Sequence, residues 1–467
     1  MYFAIIKPKY GPSAAAGNTL QYIVLRRWHP AGYTGEPGRT VARPQHRDAT
    51  TSCRGPVLSR QAPEIIRDPL WDNIRLEPAA VAALDTPAVQ RLRHVRQLGH
   101  AFLVYPGATH SRFEHALGAY HLTRRALATL DERGDLADIG EADRLAVRLA
   151  ALLHDIGHYP FSHALEEAGF THHEQLGAAR LRAGALGEVL RALGGEALIT
   201  SISAMIQGTS TSPLAGLISG SIDLDKIDYL SRDARMCGVP YGQVDVDRLL
   251  ASLCLLPTEV NRREVGVLEK GTSALESLLF AKYQMYRNVY WHHAVRSATC
   301  MFKRAVRTTV RAGAIDAAAV ADATDGTLTT LLLEHDPTGL ACAVHERRLY
   351  KRALDLPATA VPEQMPAWLW SDPERLEAAE EALAVSLELP RGGVLIDFPE
   401  RANMLQVDLP LLTRAGVVER LTDAGRTGQL GLPHVADELY RTARRLRVFT
   451  SEPRRLDAIP AELREQP

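Results

Sequence analysis

The sequence predicts a mainly α-helical protein, with a large helical core over residues 63–312 and a smaller mixed α/β region over 313–467. Three observations predict it. Apolar residues recur at helical spacing in "RFEHALGAYHLTRRALATL" and "DRLAVRLAALLHD". The stretch "THHEQLGAARL" carries a helix-start signature. Beyond about residue 312 the helical spacing loosens and short β-type runs take its place. With 467 residues and 46% hydrophobic side chains, the chain can hold two or three domains, or one large core with additions.

Taken in order, residues 1–62 hold Gly, Pro, Ser, Thr and Arg without sustained periodicity, and "GYTGEPGRTVARPQHRDATTSCRGP" reads as an irregular or disordered extension. The stretch "IIRDPLWDNIRLEP" predicts short extended elements able to pair as a hairpin, and "AVAALDTPAVQRLRHVRQLG" begins a series of helices. Phe113, Leu117, Tyr120 and Leu127 share one helical face; Leu145, Leu149, Leu152 and Leu153 share another, so both segments predict buried helices. Thr171, followed three residues later by Glu174, predicts a capping box that starts a helix with His172 and His173 in its first turn. Helices continue through "IDLDKIDYLSRDA" and "SALESLLFAKYQMYRNVYWHHAVRSATCMFKRAV". The run "ERRLYKRALDL" suits a strand or a helix, while "GGVLIDFP" and "RLRVFT" predict strands.

A formal net charge of −1 exerts no global pull toward nucleic acid or anionic membrane, so anion binding is local. Cys53, Cys237, Cys254, Cys300 and Cys342 are odd in number and widely spread, giving neither a disulfide framework nor a CxxC zinc pattern. No apolar run approaches the roughly 18–20 residues of a membrane span, and the N-terminus lacks a signal-peptide pattern. These features predict a soluble cytoplasmic protein with no membrane partner.

The stretch "LAALLHDIGHYPFSHALE" concentrates the chemistry. A run built for a core ends in His154, Asp155, His158 and His163, groups that are costly to bury unless something holds them. Imidazole nitrogen and carboxylate oxygen form a ligand set suited to a divalent cation such as Mn, Fe, Mg or Zn. Further ligands are sought in His115, with Arg112 one turn before it, and in Asp225, which shares a broad helical face with Lys226, Tyr229 and Asp233. Each piece alone has a plainer reading as a cap, a surface charge or a salt-bridged face; together they point to a metal and phosphate site. Gly157 and Pro160 make an uninterrupted helix through the segment unfavourable.

The stretches "LDTPAVQRLRHVRQLGHAFLVYPGATHSRFEHALG", "LLHDIGHYPFSHALE", "HEQLG", "DLDKIDYLSRDA" and "MYRNVYWHHAVR" resemble the HD-domain phosphohydrolases of the deoxynucleoside triphosphate triphosphohydrolase group. The resemblance covers roughly residues 63–312 and implies an HD-domain helical core. It implies metal ligation by His115, His154, Asp155 and Asp225, and phosphate contacts by Arg112, Lys226 and Tyr229. It places Gln97 and Asp233 at a sugar 3′-hydroxyl, Leu98 where a 2′-hydroxyl is excluded, and Tyr290 beside the deoxyribose. His158, His163 and His173 match catalytic histidines near the α-phosphate. Three positions depart from the vertebrate pattern: Lys282 stands for a phosphate-binding arginine, Tyr286 for a histidine, and Glu166 for the aspartate supporting the catalytic histidine.

The activity so implied is hydrolysis of dNTPs to deoxynucleoside and inorganic triphosphate. Two alternatives stand beside it: an HD phosphohydrolase of a nucleoside monophosphate, cyclic nucleotide or alarmone, and a non-catalytic nucleotide sensor. The resemblance further implies a homo-oligomer, dimer or tetramer, with nucleotides as substrate and as allosteric effectors. No extended Lys/Arg-aromatic surface in the sequence argues for nucleic acid.

Overall fold

The computed structural model describes residues 64–259, 262–362, 365–400, 407–422 and 436–463. The chain divides into Met1–Leu58 and Ser59–Pro467, and all described residues belong to the second unit. The reading of residues 1–62 as an irregular extension falls outside them. The described part is mainly helical, with small sheets toward the C-terminal end.

It opens on the expected hairpin. β1 (Glu64–Asp68) pairs antiparallel with β2 (Asp72–Leu76). Asp68 Oδ1 accepts the backbone N–H of Leu70 and of Trp71, both at 2.8 Å, which folds the turn back on itself.

The helix Arg112–Glu132 begins on a complete capping box. Ser111 Oγ accepts from the Glu114 N–H, and Glu114 Oε2 accepts from the Ser111 N–H at 2.6 Å. This start fixes Arg112 and His115 one turn apart at the helix mouth. The helix Glu141–Leu153 runs alongside and stops one residue before His154, so the His-Asp pair sits where the chain leaves the core. Leu149, Leu152 and Leu153 of that helix pack with Tyr120, Leu122 and Leu130 of the first and with Leu230 of the helix Leu224–Cys237.

Helix Gly184–Ile206 covers another side of the same core and bends at Gly194 and Gly195, the latter at φ 69°. Among the described residues it alone has the length and apolar composition to cross a membrane. That revises the expectation that no run reaches such a length. Its Leu186, Leu190, Leu198, Ile199, Ile202 and Met205 are buried in the core, which accounts for its apolar character.

One helical expectation changes. The helix expected at Thr171 is His173–Arg180, with His172 at its N-cap and no capping box. The His173 N–H is satisfied instead by Glu166 Oε1 at 2.9 Å, an acceptor delivered from the preceding turn. The helices expected over "SALESLLFAKYQMYRNVYWHHAVRSATCMFKRAV" are Thr272–Met285 and His293–Arg311, with a π-helical turn Tyr286–Tyr290 between them. The π turn, with more residues per turn than an α-helix, keeps Tyr290 near the azimuth of Lys282 eight residues earlier.

Sheet pairing joins distant parts of the chain. β3 (Leu253–Glu259) and β4 (Arg262–Leu268) form an antiparallel pair that the sequence reading did not anticipate. "ERRLYKRALDL" resolves as β5 (Lys351–Pro357), and "GGVLIDFP" holds β6 (Val394–Asp397). β7 (Leu409–Leu412) lies parallel to β4, with Val267 opposite Leu411, and pairs antiparallel with β8 (Val418–Leu421). β9 (Arg445–Thr450) is the middle strand of the sheet β5-β9-β6. Val407, Leu409, Leu411 and Leu421 join the apolar cluster of the helical core. Cys237, Cys254, Cys300 and Cys342 carry free thiols.

Candidate metal centre and active site

Three side chains converge, two from helices and one, His154, from the C-cap of a third. His115 Nε2 lies 2.8 Å from Asp225 Oδ1 and 3.1 Å from His154 Nε2, and His154 Nε2 lies 3.4 Å from the same carboxylate oxygen. Hydrogen bonds on the far side of each ring fix the tautomers. His115 Nδ1–H donates to Asp228 Oδ2 at 2.7 Å and His154 Nδ1–H donates to the Ala151 carbonyl at 2.9 Å. Both Nε2 lone pairs therefore face each other and a carboxylate. Two lone pairs at 3.1 Å repel unless a proton or a cation lies between them, and the donor set suits a divalent cation.

Burial opposes a charge on His115, yet its bonds to Asp225 and Asp228 outweigh burial and push the imidazole up to about 10. A cation held here would take the place of the proton that these carboxylates attract. Asp155, the fourth expected ligand, adjoins this trio, with Oδ1 at 3.3 Å from His154 Nε2 and Oδ2 at 3.7 Å from His115 Nε2. Arg112 and His158 both engage it, the latter at 3.1 Å. Burial pushes the Asp155 carboxyl up, but Arg112 and the neighbouring imidazoles prevail and hold it well below the usual range.

Behind His115 stands a layer that the sequence reading missed. Asp228 is fully buried and accepts from His115, from Trp71 Nε1 at 2.5 Å, and from Arg232 Nε and Nη2 at 3.0 and 2.9 Å. Arg232 in turn reaches Asp68 Oδ2 at 2.9 Å, tying the metal centre to the first hairpin. "DLDKIDYLSRDA" offers four aspartates, and nothing in their spacing distinguishes the one that aims the ligand from the one that is the ligand. Gly118 is required here: a Cβ would lie 1.8 Å from Asp228 Oδ1.

A second group holds His158, His163, Glu166 and His173. Glu166 accepts from His163 Nδ1 at 3.0 Å and from His173 Nδ1 at 2.5 Å, so both rings keep Nε2 available. His158 stacks on His173 with ring centroids 3.8 Å apart and is 1% exposed, whereas the His163 side chain is 56% exposed. Burial, reinforced by Arg112 and His173, drives the His158 imidazole well below its ordinary value and keeps it neutral. The chain reaches this group through Phe161 and Ser162, non-glycine residues at φ 58° and 66°. The Phe161 N–H donates to Asp325 Oδ1 at 2.9 Å, and the buried His100 ring stacks flat on Phe161 at 4.4 Å. Ser162 Oγ then meets Arg112, another contact that spacing did not reveal.

Of the phosphate and sugar candidates, Tyr229 packs edge-on against His115 with ring centroids 6.4 Å apart. Lys226 Nζ donates to Asp223 Oδ2 at 2.6 Å and to the Gly220 carbonyl at 2.9 Å. Burial, then the charge of Lys226, pushes the Lys282 amine down to about 8. The Tyr290 hydroxyl donates to Asp233 Oδ2 at 2.6 Å and packs edge-on against Tyr286 and Tyr229. His110 Nε2 holds Asp233 Oδ1 at 2.8 Å, a further residue not found from sequence. Gln97 is buried and its Oε1 has no hydrogen-bond partner among the described residues, while Leu98 packs against the core beside it. Arg112, a further phosphate candidate, lies at the metal centre with its two terminal nitrogens on Asp155 and Ser162.

Residues 112–233 match the HD domain, and residues 244–427 match the HD associated region. The chain is 35% identical over 292 residues to an uncharacterized protein of Methanocaldococcus jannaschii, covering 62% of this chain and 59% of that one. It is 30% identical over 266 residues to the deoxynucleoside triphosphate triphosphohydrolase SAMHD1 of Bos taurus, covering 49% and 44% of the two chains. A SAMHD1 homolog of Dictyostelium discoideum is 31% identical over 257 residues, covering 52% and 49%. The chain thus spans about half the length of the curated relatives it matches. A solved structure, a hypothetical protein from Aquifex aeolicus, superposes with a TM-score of 0.63 at 26% identity, over 83% of this chain and 96% of that one.

Proposed function

This chain is an HD-domain protein with an HD-associated region, and from that premise we propose that it is a metal-dependent phosphohydrolase that cleaves dNTPs into deoxynucleoside and inorganic triphosphate. The observation that carries the reading is the pair of imidazoles whose Nε2 lone pairs converge with Asp225 on one point. A divalent ion held there by His115, His154, Asp155 and Asp225 would supply Lewis acidity toward an α-phosphate oxygen. The similarity to dNTP triphosphohydrolases, though partial, favours this substrate class over other nucleotides.

The remaining work falls to the chain's own side chains. Lys226 and Lys282 bring positive charge to the triphosphate, and the Tyr229 hydroxyl adds a donor; positioning and electrostatics do most of the work in phosphoryl transfer. Water bonds to the α-phosphorus, the bond from phosphorus to O5′ breaks with its electron pair on O5′, and His163 Nε2–H protonates that oxygen. Donation leaves His163 as neutral imidazole, and the proton released by the attacking water restores the imidazolium. His163 suits the role because Glu166 fixes its Nδ1 and its ring is exposed. His173, on the same carboxylate, is the second candidate. His158 is buried and neutral, and in this reading it orients Asp155.

Gln97 Oε1, buried without a partner, suits a donor such as the sugar 3′-hydroxyl, and Asp233 is held by His110 and Tyr290 to accept beside it. The same reading takes the protein as a cytoplasmic homo-oligomer responsive to nucleotides, which light scattering with and without dNTP would check.

The test is anion-exchange analysis of products from each dNTP and NTP, singly and mixed, with Mn²⁺ or Mg²⁺. Triphosphate and deoxynucleoside are expected, and they should disappear in the doubly substituted His154→Ala, Asp155→Ala protein. Release of orthophosphate or pyrophosphate, or cleavage of monophosphates or cyclic nucleotides alone, would move the protein to another phosphohydrolase class. Binding of metal and nucleotide without cleavage would make it a sensor.

A further inference from the structure

Glu166 and Glu167 are adjacent in one 3₁₀ turn, Glu166–Ala168, yet they face opposite ways. Glu166 grips His163 and His173. Glu167 is gripped from behind: Arg296 Nη1 and Nη2 donate to its two oxygens at 3.0 and 2.8 Å, and Lys303 Nζ adds a bond at 2.9 Å. Arg296 is only 5% exposed and turns its remaining donors to Asp397 on β6, with Nε 3.1 Å from both carboxylate oxygens and Nη2 2.6 Å from Oδ1. Arg447 on β9 closes the far end, 3.5 Å from Asp397 Oδ2 and 2.8 Å from the Trp291 carbonyl.

A buried guanidinium between two carboxylates is a poor device for stability alone, since desolvation consumes most of the Coulombic gain. What a planar fork supplies is direction. Apolar neighbours Ala298, Met301, Leu395 and Phe449 already pack this junction. The directional link runs instead from the C-terminal sheet, through the helix His293–Arg311, to the turn that presents the imidazoles.

We propose that Glu167, Arg296 and Asp397 are positioning residues, a carboxylate–guanidinium–carboxylate relay that sets the Glu166–Ala168 turn so that Glu166 aims the rings of His163 and His173. The part concerning proton delivery rests on the function proposed above; the part concerning ring placement does not. The relay also gives the C-terminal sheet a task in catalysis, although it contributes no residue to the pocket.

Glu167→Gln is the informative change, because Glu167 is partly exposed and the Arg296–Asp397 pair survives it. The metal-loaded full chain should keep its metal content and KM, while kcat on a dNTP falls about tenfold to a hundredfold, the range expected for a misplaced catalytic group. A 5′-thio dNTP, whose thiolate leaves without a proton, should lose little, and Arg296→Lys should behave as Glu167→Gln does. In parallel, ¹⁵N-histidine NMR should show the Nδ1–H signals of His163 and His173, assigned by single replacement, shifting or broadening in both variants. Equal loss on oxygen and sulfur substrates, or unmoved histidine signals, would overturn the proposal. If the unaltered protein cleaves no dNTP, the functional reading falls, while the histidine signals still decide ring placement.

Discussion

Replacing Asp228 with asparagine tests whether the carboxylate behind His115 sets the metal centre. The carboxylate accepts four hydrogen bonds, from Trp71 and Arg232 Nη2 at Oδ1 and from His115 and Arg232 Nε at Oδ2. An asparagine keeps one oxygen, so whichever way the amide turns, its NH₂ faces two donors. Turned toward His115, it favours the tautomer with hydrogen on Nε2, the atom aimed at the metal. Turned toward Trp71, it strands that indole and one arginine nitrogen. Two stranded donors at about 1–3 kcal/mol each put the cost at about 2–6 kcal/mol, divided between metal affinity and stability. Partners behind metal ligands are worth about tenfold to a hundredfold in affinity, so roughly 1.4–2.7 kcal/mol of that belongs to the metal. The assay is Mn²⁺ competition against a chelator of known affinity, with metal content by mass spectrometry and a melt of the metal-free protein. A variant that melts as the parent does and holds Mn²⁺ within about twofold of it would refute the reasoning.

Gly118→Ala should empty the same centre by steric means, because the added methyl would lie 1.8 Å from Asp228 Oδ1; retention of full metal content would show that the contact can relax. Lys282, pushed down to about 8 by burial and Lys226, carries its charge below that pH and loses it above. KM for a dNTP should therefore rise across about pH 8, and less so in Lys282→Arg; parallel profiles would exclude Lys282 from triphosphate binding. Burial pushes His100 down to about 3, so between that pH and about 6.5 the unfolded chain takes up a proton that the folded one refuses. The stability so lost grows as pH falls, reaching about 2 kcal/mol at pH 5. Urea unfolding of the parent and His100→Phe should show the variant losing less between pH 7 and 5; equal slopes would contradict the assignment.

The parts of the site written in local sequence were legible. His154 and Asp155 are adjacent, Arg112 and His115 are one helical turn apart, and the helix after Asp223 follows its own periodicity. What escaped depends on partners that only the folded chain brings together. Asp228 looks like any aspartate of its helix until His115, Trp71 and Arg232 surround it. The Thr171 cap failed because Glu166, fixed by the preceding turn, supplies the acceptor instead. β3 escaped because "LCLLP" is apolar without alternation, as suits a strand covered on both faces. β7 and β8 are four residues each, too short for a period to register.

The parallel pairing of β4 with β7 sets an order of events during synthesis. Roughly 140 residues separate Leu268 from Leu412, so at typical translation rates of about 5–20 residues per second β4 waits about 7–28 s before its neighbour is made. Through that interval the metal-ligand helices are complete while one edge of their sheet stands open, a state prone to pairing with another nascent chain. Slowing elongation over residues 269–408 should therefore lower the soluble yield of this protein, even though His115, His154, Asp155 and Asp225 have already been made.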